Sequence, residues 1–189
     1  RFSGEGIYTG QIKNGKKHGQ GKMTYDNGDV YEGPWKDDKK HGKGKGIMKY
    51  GEESIRNMSP YGYGELIDSD EIKLKQALYI GDWEEDKRHG TGMQSFKDGD
   101  GDEYDYKGEW KNDKKHGKGS YTIGWYGYSY EGQWKDNKKD GEGIYTFSNG
   151  DRYDGDWKEN KRDGYGEYSW FDSSEFVEFV GAWKDDKIH

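Results

Sequence analysis

The sequence predicts an all-β protein: an elongated single-layer antiparallel sheet made of tandem β-hairpins. Three observations predict this fold class. Aromatic residues and glycines recur two residues apart, in a frame that is about 23 residues long. The apolar residues are mostly aromatic, with 8 Trp, 17 Tyr and 6 Phe. Asn, Asp and Gly stand between the alternating segments, at positions typical of hairpin turns.

The composition favours a fold held together by rings and glycines. Leu, Ile, Val and Phe supply only 22 of the 189 residues, a share that would indicate disorder if the net charge were high. The net charge is only −7, however, and disordered segments are poor in aromatic residues. Gly is abundant, at 32 residues. An ordinary helical bundle or a doubly wound α/β domain needs an aliphatic core, so both are excluded.

Other properties narrow the function. The chain has no Cys, so disulfides, thiolate metal sites and Cys nucleophiles are excluded. No apolar run approaches the roughly 20 residues of a membrane span. The pI is about 5.3, whereas nucleic-acid-binding domains are usually basic. We therefore expect no nucleic-acid partner, and a cytoplasmic location is compatible with the composition.

The repeat frame is clearest where two copies nearly coincide. Tyr31-Glu32-Gly33-Pro34-Trp35 and Tyr106-Lys107-Gly108-Glu109-Trp110 are each followed by a charged turn and His-Gly-Lys-Gly. Units start at residues 8, 31, 79, 106, 130, 153 and 179. The interval between 31 and 79 is twice the usual one, which predicts a degenerate unit over 51–78. We thus expect one repeat domain over 1–189 with about eight units. The last unit is incomplete and the chain opens with Arg1, so we expect an excerpt of a longer protein.

Within each unit the alternation predicts two strands. Tyr130, Gly132 and Trp134 point to one face, and Glu131 and Gln133 point to the other. A Gly beside a ring leaves room for the ring to lie flat on the backbone. The predicted aromatic and glycine core comprises Tyr31, Gly33, Trp35, Tyr79, Gly81, Trp83, Tyr106, Gly108, Trp110, Tyr130, Gly132, Trp134, Tyr153, Gly155, Trp157 and Trp183.

This frame resembles the MORN repeat (membrane occupation and recognition nexus). The resemblance covers nearly the whole chain and departs from the family pattern at Ile12 and Ile55, which stand in place of Trp. It implies a repeat module of the kind found in radial spoke heads, junctophilins and phosphatidylinositol phosphate kinases.

No pattern for catalysis, a cofactor or a metal stands out. His18, His41, His89 and His116 precede a Gly, but Asp140 takes the same place in another unit. A metal ligand would not vary so freely, so we expect these side chains to make turn hydrogen bonds. The loop that begins at Asp98 has alternate carboxylates like an EF-hand, but Glu103 stands where that loop needs Gly. We expect a non-enzyme with no cofactor and no metal.

Basic residues recur in the first turn of each unit. If the hairpins stack in register, these residues line one edge of the sheet. Charged edges ordinarily prevent sheets from associating, but this edge is also a candidate docking strip for an acidic protein or anionic lipid headgroups. Its members are Lys16, Lys17, Lys39, Lys40, Lys87, Arg88, Lys114, Lys115, Lys138, Lys139, Lys161 and Arg162.

Three functions compete. The favoured one is a non-catalytic scaffold that binds protein partners within a large assembly, and the resemblance implies a cytoskeletal or ciliary (axonemal) setting. The second is a peripheral membrane module that binds acidic phospholipids. The third is the repeat region of a larger enzyme, such as a lipid kinase.

Overall fold

The structure, a computed structural model, describes residues 5–49, 76–97, 103–124, 127–172 and 175–189. Within these ranges the chain contains no helix and forms a single open antiparallel sheet of 15 strands. The predicted all-β fold of tandem hairpins is confirmed. The strands are β1 (Gly6–Lys13), β2 (Lys16–Tyr25), β3 (Val30–Lys36), β4 (Lys39–Lys40), β5 (Gly42–Met48), β6 (Gln76–Glu84), β7 (Lys87–Lys97), β8 (Glu103–Lys111), β9 (Lys114–Ile123), β10 (Tyr128–Lys135), β11 (Lys138–Thr146), β12 (Arg152–Lys158), β13 (Lys161–Asp172), β14 (Glu175–Lys184) and β15 (Lys187–Ile188).

Each strand lies beside its neighbours in sequence, except that β4 pairs only with β3, while β5 follows β3 in the sheet. Two-residue turns close the hairpins, as at Asp136 and Asn137, which have φ values of 49° and 72°. Positive φ at both residues is typical of a type I′ turn, whose twist matches that of the strands. Asn and Asp tolerate this conformation better than other residues with side chains. The turn chemistry in the sequence therefore fixes the register of each hairpin.

A bulge follows the turn in the hairpins β1–β2, β6–β7, β8–β9, β10–β11 and β12–β13. The register shifts between Gly132 and Trp134, and Gly141 on the partner strand has a φ of 102°. In the unit that starts at Tyr106, Gly117 has a φ of 59°, and the side chain of Glu109 accepts a hydrogen bond from Lys118 N at 2.9 Å. A Gly is needed after the His because the bulge requires positive φ.

We predicted turn hydrogen bonds for the histidines, and at the Nδ1 atom of three of them these bonds are not found. Among the described residues, the buried Nδ1 atoms of His18, His89 and His116 have no hydrogen-bond partner. The two nearest carboxylates lie 3.7 Å from His18 Nδ1 and 3.5 Å from His89 Nδ1. Side chains of the first strand bind the bulge N–H groups instead: Gln11 accepts from Gln20 N, and Asp82 accepts from Thr91 N.

The degenerate unit predicted over 51–78 stays a prediction. It lies mostly outside the described residues, but β5 pairs directly with β6, with Gly42 opposite Trp83 and Gly44 opposite Gly81. The same register joins other adjacent units, for example Gly90 opposite Trp110. The units that start at Tyr31 and Tyr79 are therefore adjacent in the sheet.

Candidate interaction surface

One face of the sheet carries an unbroken ladder of rings. The ring centroids of Tyr130 and Trp134 are 5.1 Å apart and nearly perpendicular, at 89°. Tyr130 also meets Trp157 of the next unit at 5.5 Å. Edge-to-face contacts of this kind add to the burial of apolar area. The ladder joins the units into one body, because the first Tyr of five units contacts the Trp of its own unit and of the next: Tyr31, Tyr79, Tyr106, Tyr130 and Tyr153.

The polar atoms of the rings are bound to the backbone. Tyr130 Oη donates to the carbonyl of Gln133 at 2.9 Å, and Trp134 Nε1 donates to the carbonyl of Gly119 in the preceding unit at 3.0 Å. Burial raises the pKa of the Tyr130 phenol well above its usual range, so the ring stays neutral. The structure places all the predicted core aromatic residues in the buried cluster: Tyr31, Trp35, Tyr79, Trp83, Tyr106, Trp110, Tyr130, Trp134, Tyr153, Trp157 and Trp183.

The predicted core glycines lie directly under the tyrosine rings. A Cβ at Gly132 would come within 2.6 Å of Tyr130 Oη and 2.5 Å of the Cα of Gly143. Gly132 faces Gly143 across the hairpin. Gly108 and Gly119 form the same pair one unit earlier. The pairs join into a continuous row across the sheet that contains Gly44, Gly81, Gly92, Gly108, Gly119, Gly132, Gly143, Gly155, Gly166 and Gly181.

The predicted basic edge divides into two classes of residue. Lys40, Lys115 and Lys139 are only 2%, 5% and 2% exposed. Each ammonium group lies over rings, as Lys115 Nζ does over Tyr121 at 4.4 Å. Burial therefore removes these three from the predicted docking edge, because the strand after the turn directs their side chains onto the ring ladder. Lys17, Arg88 and Arg162 occupy the same position and also lie over rings.

Burial lowers the pKa of Lys115 and of Lys139 to about 7. For Lys40, burial is again the main cause, and the pKa falls to about 8. An ammonium group over an aromatic face gains electrostatic attraction from the ring. These lysines are consequently parts of the core, and their long apolar stems cover the rings.

The remaining lysines of the edge are mostly paired with carboxylates of the next turn. Lys114 Nζ lies 3.5 Å from Asp136, and Lys138 Nζ lies 3.4 Å from Glu159. Lys161 pairs with Asp185 at 3.1 Å, and Lys39 pairs with Glu85. The edge is thus a ladder of opposite charges. Lys16 and Lys87 make no ion pair with the described residues, but the field of the edge as a whole is largely neutralised.

The opposite face of the sheet forms an open trough, which the sequence did not predict. Its floor is the backbone of the glycine row, and it encloses about 980 Å³. Side chains that alternate with the rings line it, among them Ile80, Met93, Lys107, Glu131 and Ile144. The signal in the sequence was the same two-residue alternation, because every position between core residues must face this side. Depth and curvature could not be read from that pattern.

Within the described ranges, no group of three or more His, Asp or Glu side chains is arranged to hold a metal ion. The acidic loop that starts at Asp98, for which we expect no metal, lies outside them in large part. A search of those same ranges finds no helix with the length and apolar character of a membrane span.

Comparison with protein families identifies the repeat. The model of the MORN repeat matches residues 8–30, 31–45, 79–101, 106–127, 130–152 and 153–175, which together make up more than half of the chain. A search of curated proteins gives no match. The fold and the matched repeats define a β-hairpin repeat module for interaction with proteins or membranes. The chain belongs to the MORN repeat family.

Proposed function

We propose that the chain is a non-catalytic scaffold and that its trough binds a linear segment of a partner protein. The observation that carries this proposal is the shape of the face opposite the rings: an open trough of about 980 Å³ with bare glycine backbone along its floor. A side chain at the glycine row would point toward the rings, so the trough shows backbone there, and a partner segment can approach that backbone between the side chains of the alternate positions.

The size of the trough suits such a segment. Its lining residues extend from Lys43 on β5 to Asp154 on β12. Seven steps between strands at ~4.8 Å give a length of about 34 Å. An extended segment of about ten residues spans that distance, and a helical one needs about 22.

The apolar side chains of the trough supply the other requirement for binding. Ile80 is 46% exposed and Met93 is 38% exposed, and they are direct cross-strand neighbours. Apolar side chains exposed together on a surface are typical of interaction sites. The setting we propose is cytoplasmic, in a cytoskeletal or ciliary assembly, and this part rests on the family resemblance.

The membrane alternative has weaker support. Ion pairs occupy most of the exposed lysines of the edge, and a basic residue contributes only ~1 kcal/mol near an anionic surface even when nothing offsets it.

A photo-crosslinking amino acid tests the proposal. It is placed at Met93 in the trough or, as the control, at Lys138 in a turn, and the chain is illuminated in cell extract. We expect discrete protein adducts from position 93 that are absent from position 138. Adducts of equal yield at both positions, or at 138 alone, would place the partner on the edge and contradict the proposal.

A further inference from the structure

The charges in the trough are separated along the order of the strands. Lys43, Lys107 and Lys118 lie on β5, β8 and β9. Glu131, Glu142 and Asp154 lie on β10, β11 and β12. The boundary falls between β9 and β10, which are adjacent in the sheet. Glu109 is the one lining carboxylate on the basic side, and it accepts the hydrogen bond from Lys118 N.

Most of these charged side chains are not paired with one another within the trough. In the described part of the chain, Lys43, Lys107 and Lys118 make no ion pair, and neither do Glu131 and Glu142. Ser120 stands between Lys107 and Glu131 in the register, which keeps these two charges two strands, or ~10 Å, apart. Asp154 alone is paired, with Arg152 at 2.7 Å. The trough therefore differs from the turn edge, where opposite charges meet.

The apolar side chains are placed unevenly as well. Ile80 and Met93 lie among the lysines, between Lys43 and Lys107 in the order of the strands. On the acidic side, Ile144 lies between Glu131 and Asp154. Each charged half thus has its own apolar contact. A ligand that fits both halves needs an apolar residue near each of its ends.

We propose that the trough takes a segment with the reverse charge order: acidic residues over β5–β9 and basic residues over β10–β12, with apolar side chains against Ile80 and Met93 and against Ile144. This inference rests on the proposed function and adds the chemistry and direction of the partner segment. Complementary charges suppress wrong pairings and fix register. The segment lies in the trough in one direction only, because turning it around would bring like charges together.

Two fluorescent peptides of about 14 residues and identical composition test the charge order. In the block peptide, Glu residues occupy one half and Lys residues the other, with a Leu in each half. In the mixed peptide, Glu and Lys alternate. We expect the block peptide to bind about tenfold more tightly in fluorescence anisotropy at low ionic strength, with the difference shrinking as salt is added. Equal affinities, including no binding by either peptide, would overturn the proposal.

Reversing the charge of the trough carboxylates tests whether they cause the preference for the block peptide. The triple variant Glu131→Lys, Glu142→Lys and Asp154→Lys should lose the preference for the block peptide. The control variant Asp136→Lys, Glu159→Lys and Asp185→Lys changes the net charge equally but at the turn edge, and it should keep the preference. A control variant that loses the preference as fully as the trough variant would contradict the proposal.

A nitroxide on either end of the block peptide reports its direction. The label on the acidic end should broaden the amide signals of Lys43 and Lys107, and the label on the basic end those of Glu142 and Asp154. Equal broadening from both ends would refute the single direction. Failure of the proposed function looks different, since photo-adducts at Met93 would then be absent or no more abundant than those at Lys138. If only the charge order is wrong, those adducts persist unchanged in the triple trough variant.

Discussion

Lys139 Nζ lies 3.9 Å from the centre of the Trp157 ring, which belongs to the next hairpin in the sheet. The corresponding distance is 5.1 Å from Lys115 to Trp134 and 4.3 Å from the Arg162 guanidinium to Trp183. A basic residue of one hairpin therefore covers the Trp of the following one. A hydrogen bond at the turn also links the two hairpins: Asn160 Oδ1 accepts from Lys139 N at 2.8 Å.

The buried lysines predict that stability rises with pH. Burial lowers the pKa of Lys115 and Lys139 to about 7, whereas an unfolded lysine keeps its proton to about pH 10.4. Between these values the unfolded chain binds more protons, so the free energy of unfolding increases with pH. Urea unfolding between about pH 6.5 and pH 9.5 should show this increase.

The double variant Lys115→Met and Lys139→Met should reduce that increase, because only Lys40 of the three buried lysines with a lowered pKa then remains. The control Lys114→Met and Lys138→Met removes two exposed lysines from the same turns and should leave the slope unchanged. The pH range ends near 9.5 because tyrosine would contribute above it. Burial raises the pKa of Tyr130 in the folded chain above its usual range. At higher pH the tyrosines of the unfolded chain would therefore ionise first and favour unfolding. Equal slopes in both variants would show that the lysines are not the cause.

The glycine row predicts a large difference between two Gly→Ala changes. At Gly132 the new Cβ would lie 2.5 Å from the Cα of Gly143 and 2.6 Å from the carbonyl oxygen of Glu142. Both are backbone atoms, so we expect a loss of about 3 kcal/mol or more in the free energy of unfolding. At Gly150 nothing lies within 4 Å, and only the positive φ costs about 1 kcal/mol. Similar urea midpoints for the two variants would contradict the close approach.

The ring ladder predicts that the loss of one ring destabilises mainly its own hairpin and the neighbouring strands. Trp134→Ala removes a 2% exposed indole and should cost about 3–5 kcal/mol. In hydrogen exchange, β9, β10 and β11 should lose protection first, while β1 and β2 keep theirs, because each unit contacts mainly its neighbours. An unchanged melting curve would disprove the core role of Trp134.

Ion pairing at the turns predicts weak binding to anionic membranes. The wild-type chain should not pellet with phosphatidylserine vesicles at about 0.15 M salt, because the carboxylates of neighbouring turns offset the exposed lysines. The assay is liposome co-sedimentation. Salt-sensitive pelleting that is abolished by Lys114→Glu and Lys138→Glu would instead support the membrane alternative.

The sequence predicted the fold because the same pattern of alternating residues and turns recurs from unit to unit. Tyr130, Gly132 and Trp134 show both the strand period and the close packing, and Asp136 and Asn137 show the turn. The doubled interval between residues 31 and 79 predicts a degenerate unit over 51–78, which lies mostly outside the described residues. Strand pairing settles which units are neighbours, and pairing is not a property of the sequence frame.

The candidate site was less predictable. Lys139 and Lys138 are identical in type and adjacent, yet one is buried and the other paired at the surface. A signal was present, because the second of the two basic residues recurs in six units as Lys or Arg, while the His that follows is sometimes Asp. The trough arises from the shape of the whole sheet, so no single unit reveals it.

Hydroxyl-radical footprinting of the chain, free and in its complex with the partner recovered by crosslinking, is the most direct test of binding in the trough. Ile80 and Met93 are exposed in the trough, and Ile12, which is 58% exposed, stands at a Trp position of the ring face. Binding in the trough predicts that oxidation of Ile80 and Met93 falls several-fold in the complex while oxidation of Ile12 is unchanged. Protection of Ile12 with full oxidation of Met93 would show that the partner binds elsewhere.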